Sequence, residues 1–418
     1  MYVRDVSSER YRWVVLATGT FAQACFSAFT LGLAALAPQL RSQYNLTVGE
    51  VGIVLGAAGI GMLPTLLPWG LLADRIGERL VIVLGLTGAA AALFATAETS
   101  TLAQLVGMLA LAGAFGASVN AASGRAVMGW FGADERGLAL GIRQTAIPIG
   151  TASAAATLPW LASTGGTRLA FLALAGVCIA GALLGGIFLR DAPAGEPTLA
   201  PQQLISPLRD PRMWRLAGGS SLYLVAQISI ITFVVLFLHA HRGLSKDAAA
   251  VVLVVINVLG IGARIVAGRW SDRRGTRLGP LREIGVALTV ATALVAVLVD
   301  APLAVLIPAT VVCGVLGLAW NGLSFTAAAE TAGRARSGAA LGFQQMMLGV
   351  VVAAGPPAFA AIVVASSWRV AYACAVAGPA AGVLVLRRLA EPDAARSPRP
   401  ARRRGTSASL QAARRTLD

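Results

Sequence analysis

Charged side chains inside the long apolar stretches of this 418-residue chain are few, and all are arginines. Arg264 stands in the middle of Ala248–Trp270, eight residues before Asp272. At 1.5 Å per helical residue it lies about 12 Å from the charged end of its stretch. Arg143 and Arg125 stand nearer the ends of two others. A guanidinium held among apolar residues keeps its charge and presents a planar fork that matches a carboxylate. The chemistry it suggests is recognition of an anion, with no bond made or broken. Asn257 lies seven residues before Arg264, on the same helical face. Asn120, Asn321, Gln144 and Gln345 are amides that either orient a polar solute or bridge helices. With Arg264, Asn257 and Arg143 they form the candidate substrate-binding set. The plainer reading of Arg264 is a structural bond to carbonyls or to a neighbouring helix. Gln23, Thr30, Tyr223 and Gln227 are weaker candidates.

What is missing narrows the chemistry further. No Asp or Glu stands in the middle of an apolar stretch, whereas a carrier of cations needs a buried carboxylate. Glu50, Glu98, Asp300 and Glu330 fall at ends or in loops. No Gly-x4-Gly-Lys-Ser/Thr loop is present, so nucleotide hydrolysis is not expected. No Ser/His/Asp arrangement suggests an enzyme, and no catalytic residue is expected. Cys25, Cys178, Cys313 and Cys374 are isolated among apolar residues, which predicts packing rather than metal or disulfide chemistry. Neither a metal nor a cofactor is expected. His239 and His241 could titrate, but sit near the end of a stretch; a co-transported proton could instead ride on the substrate acid.

The elements that hold these residues are membrane spans. Hydrophobic residues make up 56% of the chain and charged residues 13%, and the apolar residues come in runs of about 20, the length that crosses a bilayer as a helix. The fold class is therefore an all-α membrane protein with twelve transmembrane helices. The first six are about Trp13–Leu40, Val48–Ala73, Leu80–Ala97, Leu102–Val127, Leu138–Leu161 and Arg168–Leu189. The second six are about Trp214–Leu238, Ala248–Trp270, Ile284–Val299, Ala301–Ala328, Ala339–Val364 and Trp368–Leu386. The expected organisation is a short N-terminus (1–12), a first bundle (13–189), a linker (190–212), a second bundle (213–386) and a basic tail (387–418). The apolar run after Arg4, Arg10 and Arg12 is too long for a signal-peptide core. Outer loops would hold only Arg41, Arg168, Arg242, Lys246 and Arg369 of the 34 basic residues. That asymmetry predicts cytoplasmic termini and linker in a plasma (inner) membrane. The net charge of +15 sits mainly in loops and tail, so nucleic acid is not an expected partner. The tail trio Arg402-Arg403-Arg404 could touch lipid headgroups or remain solvated. The expected partners are the bilayer and a small solute, and the expected state is a monomer.

An internal repeat ties the stretches together. Gly70–Arg79 and Gly268–Arg277 both read Gly-x3-Asp-Arg-x-Gly-x-Arg. Gly113, Gly116 and Asn120 recur as Gly314, Gly317 and Asn321. Gly137, Gly141 and Gln144 recur as Gly338, Gly342 and Gln345, and Arg168 recurs as Arg369. Paired glycines let helices approach closely in lipid. Arg264 breaks the repeat, because its counterpart is Leu66. A costly charge present in one half alone points to substrate rather than scaffold. The repeated loops supply a candidate cytoplasmic gate of Gly70, Asp74, Arg75, Gly77, Arg79, Gly268, Asp272, Arg273, Gly275 and Arg277, with Arg125 as a partner for Asp74. Gly77 and Gly275 would take the tight turns.

These loops, with Trp130-Phe131 and Arg136-Gly137-Leu138-Ala139-Leu140-Gly141, resemble the major facilitator superfamily over about residues 10–388. The resemblance implies two six-helix bundles around a central cavity that opens alternately to either side. Ala263-Arg264-Ile265-Val266-Ala267-Gly268 also resembles the eighth span of monocarboxylate and oxalate–formate carriers. There an arginine at this point binds carboxylate, and that role is expected of Arg264. The expected function is secondary transport of an organic anion, with symport of a proton as one form. The alternative is export of a neutral or hydrophobic drug-like compound. Ile147-Pro148-Ile149-Gly150 departs from the Gly-Pro-rich pattern of drug–proton antiporters, which speaks against drug export.

Overall fold

The computed structural model describes residues 6–190 and 209–391. The linker from 191 to 208, the side chains of Lys246 and Asp247, and the tail with Arg402–Arg404 lie outside what is described.

The described residues contain eleven helical runs long and apolar enough to cross a bilayer. One of them, Arg136–Phe188, is 53 residues long, about 80 Å at helical rise and far more than one crossing needs. It turns at Gly165 and Gly166, whose dihedrals leave the helical region; Gly166 takes φ 71°. That run therefore makes two crossings, and twelve result, as the apolar pattern predicts.

The first half comprises α1 (Val6–Thr30), α2 (Ala37–Gln43), α3 (Val48–Ile76), α4 (Glu78–Thr96), α5 (Leu102–Gly116), α6 (Ser118–Trp130), α7 (Arg136–Gln144) and α8 (Ala146–Phe188). The second comprises α9 (Pro211–Ile231), α10 (Val234–Leu236), α11 (Lys246–Arg274), α12 (Leu278–Val297), α13 (Leu303–Ala319), α14 (Asn321–Ala332), α15 (Ser337–Ala365) and α16 (Trp368–Arg387). Starts are set by local chemistry. Thr47 with Glu50, and Thr101 with Gln104, form capping boxes on α3 and α5. The Ser245 and Ser367 hydroxyls cap α11 and α16. Several spans differ from the sequence expectation. The first is interrupted after Thr30, and the ninth starts at Leu278 rather than Ile284 because Arg282 and Glu283 are carried within it.

Buried apolar residues fall into two clusters. One draws on residues between Val15 and Leu189. The other lies between Met213 and Leu389, joined by a few first-half residues such as Leu16, Val127 and Leu140. The repeat extends to loop ion pairs. Arg168 meets Glu98 at 2.7 Å, and Arg369 meets Asp300 at 2.8 Å. The Asp300 carboxyl is held below its ordinary pKa by Arg369, and then by His241.

Candidate functional site

The two repeat loops lie on one face of the protein and close it. Gly77 ends α3 with φ 86° and Gly275 ends α11 with φ 65°, conformations a Cβ would disfavour. These turns leave Asp74 and Asp272 on the last turn of their helices. Each aspartate bonds to the other half. Asp74 Oδ1 and Oδ2 accept the backbone N–H of Gly338 and Ala339 at 2.9 and 2.8 Å, at the start of α15. Asp272 Oδ1 and Oδ2 accept those of Gly137 and Leu138 at 2.9 and 2.7 Å, at the start of α7. A carboxylate there satisfies orphan donors and meets the positive helix end.

Close glycine contacts make this approach possible. A Cβ on Gly70 would lie 2.3 Å from the Gly338 oxygen, and one on Gly268 would lie 2.1 Å from the Gly137 oxygen. Two helix pairs, α3 with α15 and α11 with α7, thus seal this face backbone to backbone.

Arginines secure the aspartates. Arg125 reaches Asp74 at 2.9 Å and Glu78 at 2.7 Å. Arg277 is buried and meets Asp272 at 2.5 Å and Glu330 at 3.1 Å. It also donates to the Ala133 carbonyl of the first half. Burial penalises the Arg277 charge, but Glu330 and Asp272 outweigh that penalty and raise its pKa. The other expected gate arginines behave differently. Arg75, Arg79 and Arg273 are exposed, and Arg75 and Arg79 make no hydrogen bond or ion pair among the described residues. Arg75 and Arg79 stand on the solvent-exposed side of their loop. Glu78, Glu330 and Glu391 had not been assigned to the gate. Glu391 accepts the N–H groups of Arg277, Leu278 and Gly279 at the start of α12.

Deeper in, Arg143 and Arg264 are both buried, 2% and 4% exposed. Neither has an acidic partner among the described residues. Arg143 is held within the first half. Its Nε donates to Ser123 Oγ at 2.8 Å, Nη1 to Gln144 Oε1 at 2.9 Å, and Nη2 to Gln23 Oε1 at 3.0 Å and the Asn120 carbonyl at 2.6 Å. Gln23 Nε2 in turn donates to Asn120 Oδ1 at 3.1 Å. Arg264 instead spans the halves. Its Nε donates to the Leu318 carbonyl at 3.0 Å, beside the break between α13 and α14, and Nη1 to the Gln144 carbonyl at 2.5 Å, at the end of α7. Arg264 Nη2 makes no hydrogen bond among the described residues.

The second half repeats the polar frame without the charge. Asn321 Nδ2 donates to Gln227 Oε1 at 3.2 Å, pairing the same two amides as in the first half, where Gln23 donates and Asn120 accepts. Where Arg143 stands, the repeat has Gln344, whose Nε2 donates to Ser220 Oγ and Ser324 Oγ, both at 2.9 Å. The buried amide is thus Gln344, while Gln345 is half-buried and makes no hydrogen bond among the described residues. Asn257 is half-buried and donates to the Leu253 carbonyl of its own helix at 2.9 Å. That bond leaves it apart from the arginine network. The sequence marks Gln23 only as a weaker candidate and leaves out Ser123 and Gln344; serines at equivalent positions, Ser123 and Ser324, are the legible sign. Separately, an apolar groove of about 320 Å³ lies between α3 and α5, lined by residues including Pro68, Trp69, Leu72 and Phe115.

The family model described as Major Facilitator Superfamily matches residues 19–355. An uncharacterised MFS-type transporter of Mycobacterium tuberculosis, Rv2994, is 34% identical over 93% of this chain and 88% of its own. A chloramphenicol resistance protein of Streptomyces lividans is 29% identical over 66% of this chain and 70% of its own. A probable sulfoacetate transporter of Cupriavidus necator, SauU, is 25% identical over 60% and 63%. Among solved structures, the Escherichia coli fucose:proton symporter FucP superposes with a TM-score of 0.72 at 15% identity, covering 89% of this chain and 97% of that one.

Proposed function

The chain belongs to the Major Facilitator Superfamily, a family of transporters rather than enzymes, and on that premise we propose that its substrate is a small organic anion carrying a carboxylate or sulfonate. One observation carries this reading. Two buried guanidinium groups, Arg143 and Arg264, have no acidic partner among the described residues. Removing a charge from water costs several kcal/mol unless an opposite charge meets it. Here that opposite charge is the substrate. Arg264 Nη2 is the edge that receives it, and Arg143 adds its field from the facing half. Asn120, Asn321, Gln23 and Gln227 hold the frame. The repeat loops form the cytoplasmic gate, with both termini on that side of the plasma membrane. A single chain rocks its two halves. The sulfoacetate transporter among the relatives is consistent with this class.

A thermal-shift screen of purified protein against organic acids tests the reading, because a ligand bound to the native state raises the melting temperature. At least one carboxylate or sulfonate stabilises the protein, and the shift vanishes in Arg264→Ala. No stabilising acid, or a shift retained in that variant, counts against it.

A second reading, export of a neutral or hydrophobic compound, is favoured by the apolar groove between α3 and α5 and by the chloramphenicol resistance relative. Deleting the gene separates the two. Drug sensitivity supports export, and a growth defect on an organic acid supports uptake.

A further inference from the structure

Resting on the anion reading of Arg264, we propose that the main-chain oxygen of Gln144 is the substrate's built-in rival. In the empty carrier it occupies Arg264 and ties the halves together; the anion displaces it and so releases the tie.

A proline frees this carbonyl. In a continuous helix the Gln144 carbonyl would accept the N–H of residue 148. Residue 148 is Pro148, which has no N–H and whose ring pushes aside the carbonyl four residues earlier. The chain responds with a break at Thr145, between α7 and α8. The displaced carbonyl needs a donor, because an unpaired buried carbonyl is costly. Arg264 of the other half supplies it at 2.5 Å.

The repeat shows that this contact is a departure from the common frame. The counterpart of Pro148 is Gly349, inside the unbroken helix α15. The counterpart of Arg264 is Leu66. The helix packing is otherwise alike: a Cβ on Gly141 would lie 2.6 Å from the Arg264 oxygen, and one on Gly342 would lie 2.5 Å from the Leu66 oxygen. The two interfaces thus share one backbone geometry. They differ by one added charge and one freed acceptor, and these two differences bond to each other.

The tie crosses the same helix pair, α7 and α11, that Asp272 closes at the face. Opening that face must break it. A carbonyl is a neutral acceptor, and a carboxylate or sulfonate outcompetes it for a guanidinium because it brings a full opposite charge and can accept two parallel N–H bonds at once. Binding therefore lowers the cost of opening. Gln144 and Pro148 act as positioning residues through Arg264.

Spin labels at Arg79→Cys and Arg388→Cys, exposed on the repeat-loop face of either half, report opening as a longer separation in a Cys374→Ser background. Oxalate and sulfoacetate are the probes, with affinity measured by calorimetry. Pro148→Ala returns the missing N–H to Gln144. Its long-separation population rises severalfold without ligand, and its affinity for the bound probe tightens about tenfold, the worth of one hydrogen bond to a charged group. Wild-type separations and affinity in Pro148→Ala overturn the rival-acceptor proposal. The anion reading survives that result if the probe binds wild type and not Arg264→Leu. If neither probe binds wild type, the anion reading fails for this class and the proposal falls with it. If Pro148→Ala does not reach the membrane, wild type decides: bound probe must lengthen the separation, and an unchanged short separation overturns the proposal.

Discussion

Asp74 and Asp272 each cap a helix that belongs to the opposite half. Asp74 ends α3 and caps α15; Asp272 ends α11 and caps α7. The closed face is therefore held by two carboxylates pulling in opposite directions across one seam.

Each cap should be worth about 1 kcal/mol, the usual scale for a side-chain acceptor at a helix start. Asp74→Asn and Asp272→Asn keep the shape but lose the charge that Arg125 and Arg277 pair with. Each variant should open the face about fivefold to tenfold more often, and the double variant more again. A longer separation between spin labels at Arg79→Cys and Arg388→Cys measures this. Equal separations in wild type and variants would show that the caps do not hold the gate.

The glycines at the seam give a steric test of the same closure. A methyl on Gly268 would collide with backbone atoms of Gly137, 2.1 Å from the oxygen and 2.5 Å from the carbon, and backbone cannot rotate away. Gly268→Ala should cost about 1–3 kcal/mol of the closed state and slow transport. Gly262→Ala, six residues earlier with nothing within 4 Å of its Cβ position, should transport normally. Equal rates for the two variants would mean that close contact at Gly268 is not needed.

The sequence made the membrane architecture legible because apolar length and the repeat report directly on lipid and on duplication. It also marked Asp74, Asp272, Gly77 and Gly275, whose spacing recurs. It did not reveal what the aspartates bond to. Backbone N–H groups are identical at every residue, so the caps at Gly338 and Gly137 leave no trace in residue type. Arg75 and Arg79 share the repeat with Asp74 yet face water, because a motif records neighbours along the chain rather than direction in space. Gln345 matches Gln144 by residue identity, whereas Gln344 occupies the position of Arg143, and identity alone does not distinguish the two.

The Asp300 carboxyl should not supply a pH switch. Asp300 faces Arg369, His241 and Arg242, and its folded pKa lies below its ordinary value. A depressed carboxylate contributes stability above its unfolded pKa and loses it only as pH falls through the lower folded value. Both lie below the range in which transport is assayed. Asp300→Asn should therefore leave the shape of the pH–rate profile between about pH 5 and 8 unchanged. A displaced profile in that variant would show that the cluster titrates during transport.

Arg143 offers the sharpest separation of scaffold from function, since the protein contains its own uncharged version of the site. Gln344 fills the equivalent position and bonds Ser220 and Ser324, as Arg143 bonds Ser123 and Gln23. Arg143→Gln should adopt that arrangement in the first half. It removes an unpaired buried charge, which favours stability, and loses bonds to the Asn120 carbonyl and Gln144, which disfavours it. These effects oppose each other, so the melting temperature should move by only a few degrees. Affinity for an organic anion should nonetheless drop tenfold or more, because half of the positive field is gone. Arg143→Leu takes the donor from Gln23 Oε1 and Gln144 Oε1 and should destabilise the fold by about 1–3 kcal/mol. Measuring melting temperature and anion affinity on both variants decides the role. If Arg143→Gln binds anions as wild type does, Arg143 is scaffold alone and the substrate's charge is met by Arg264.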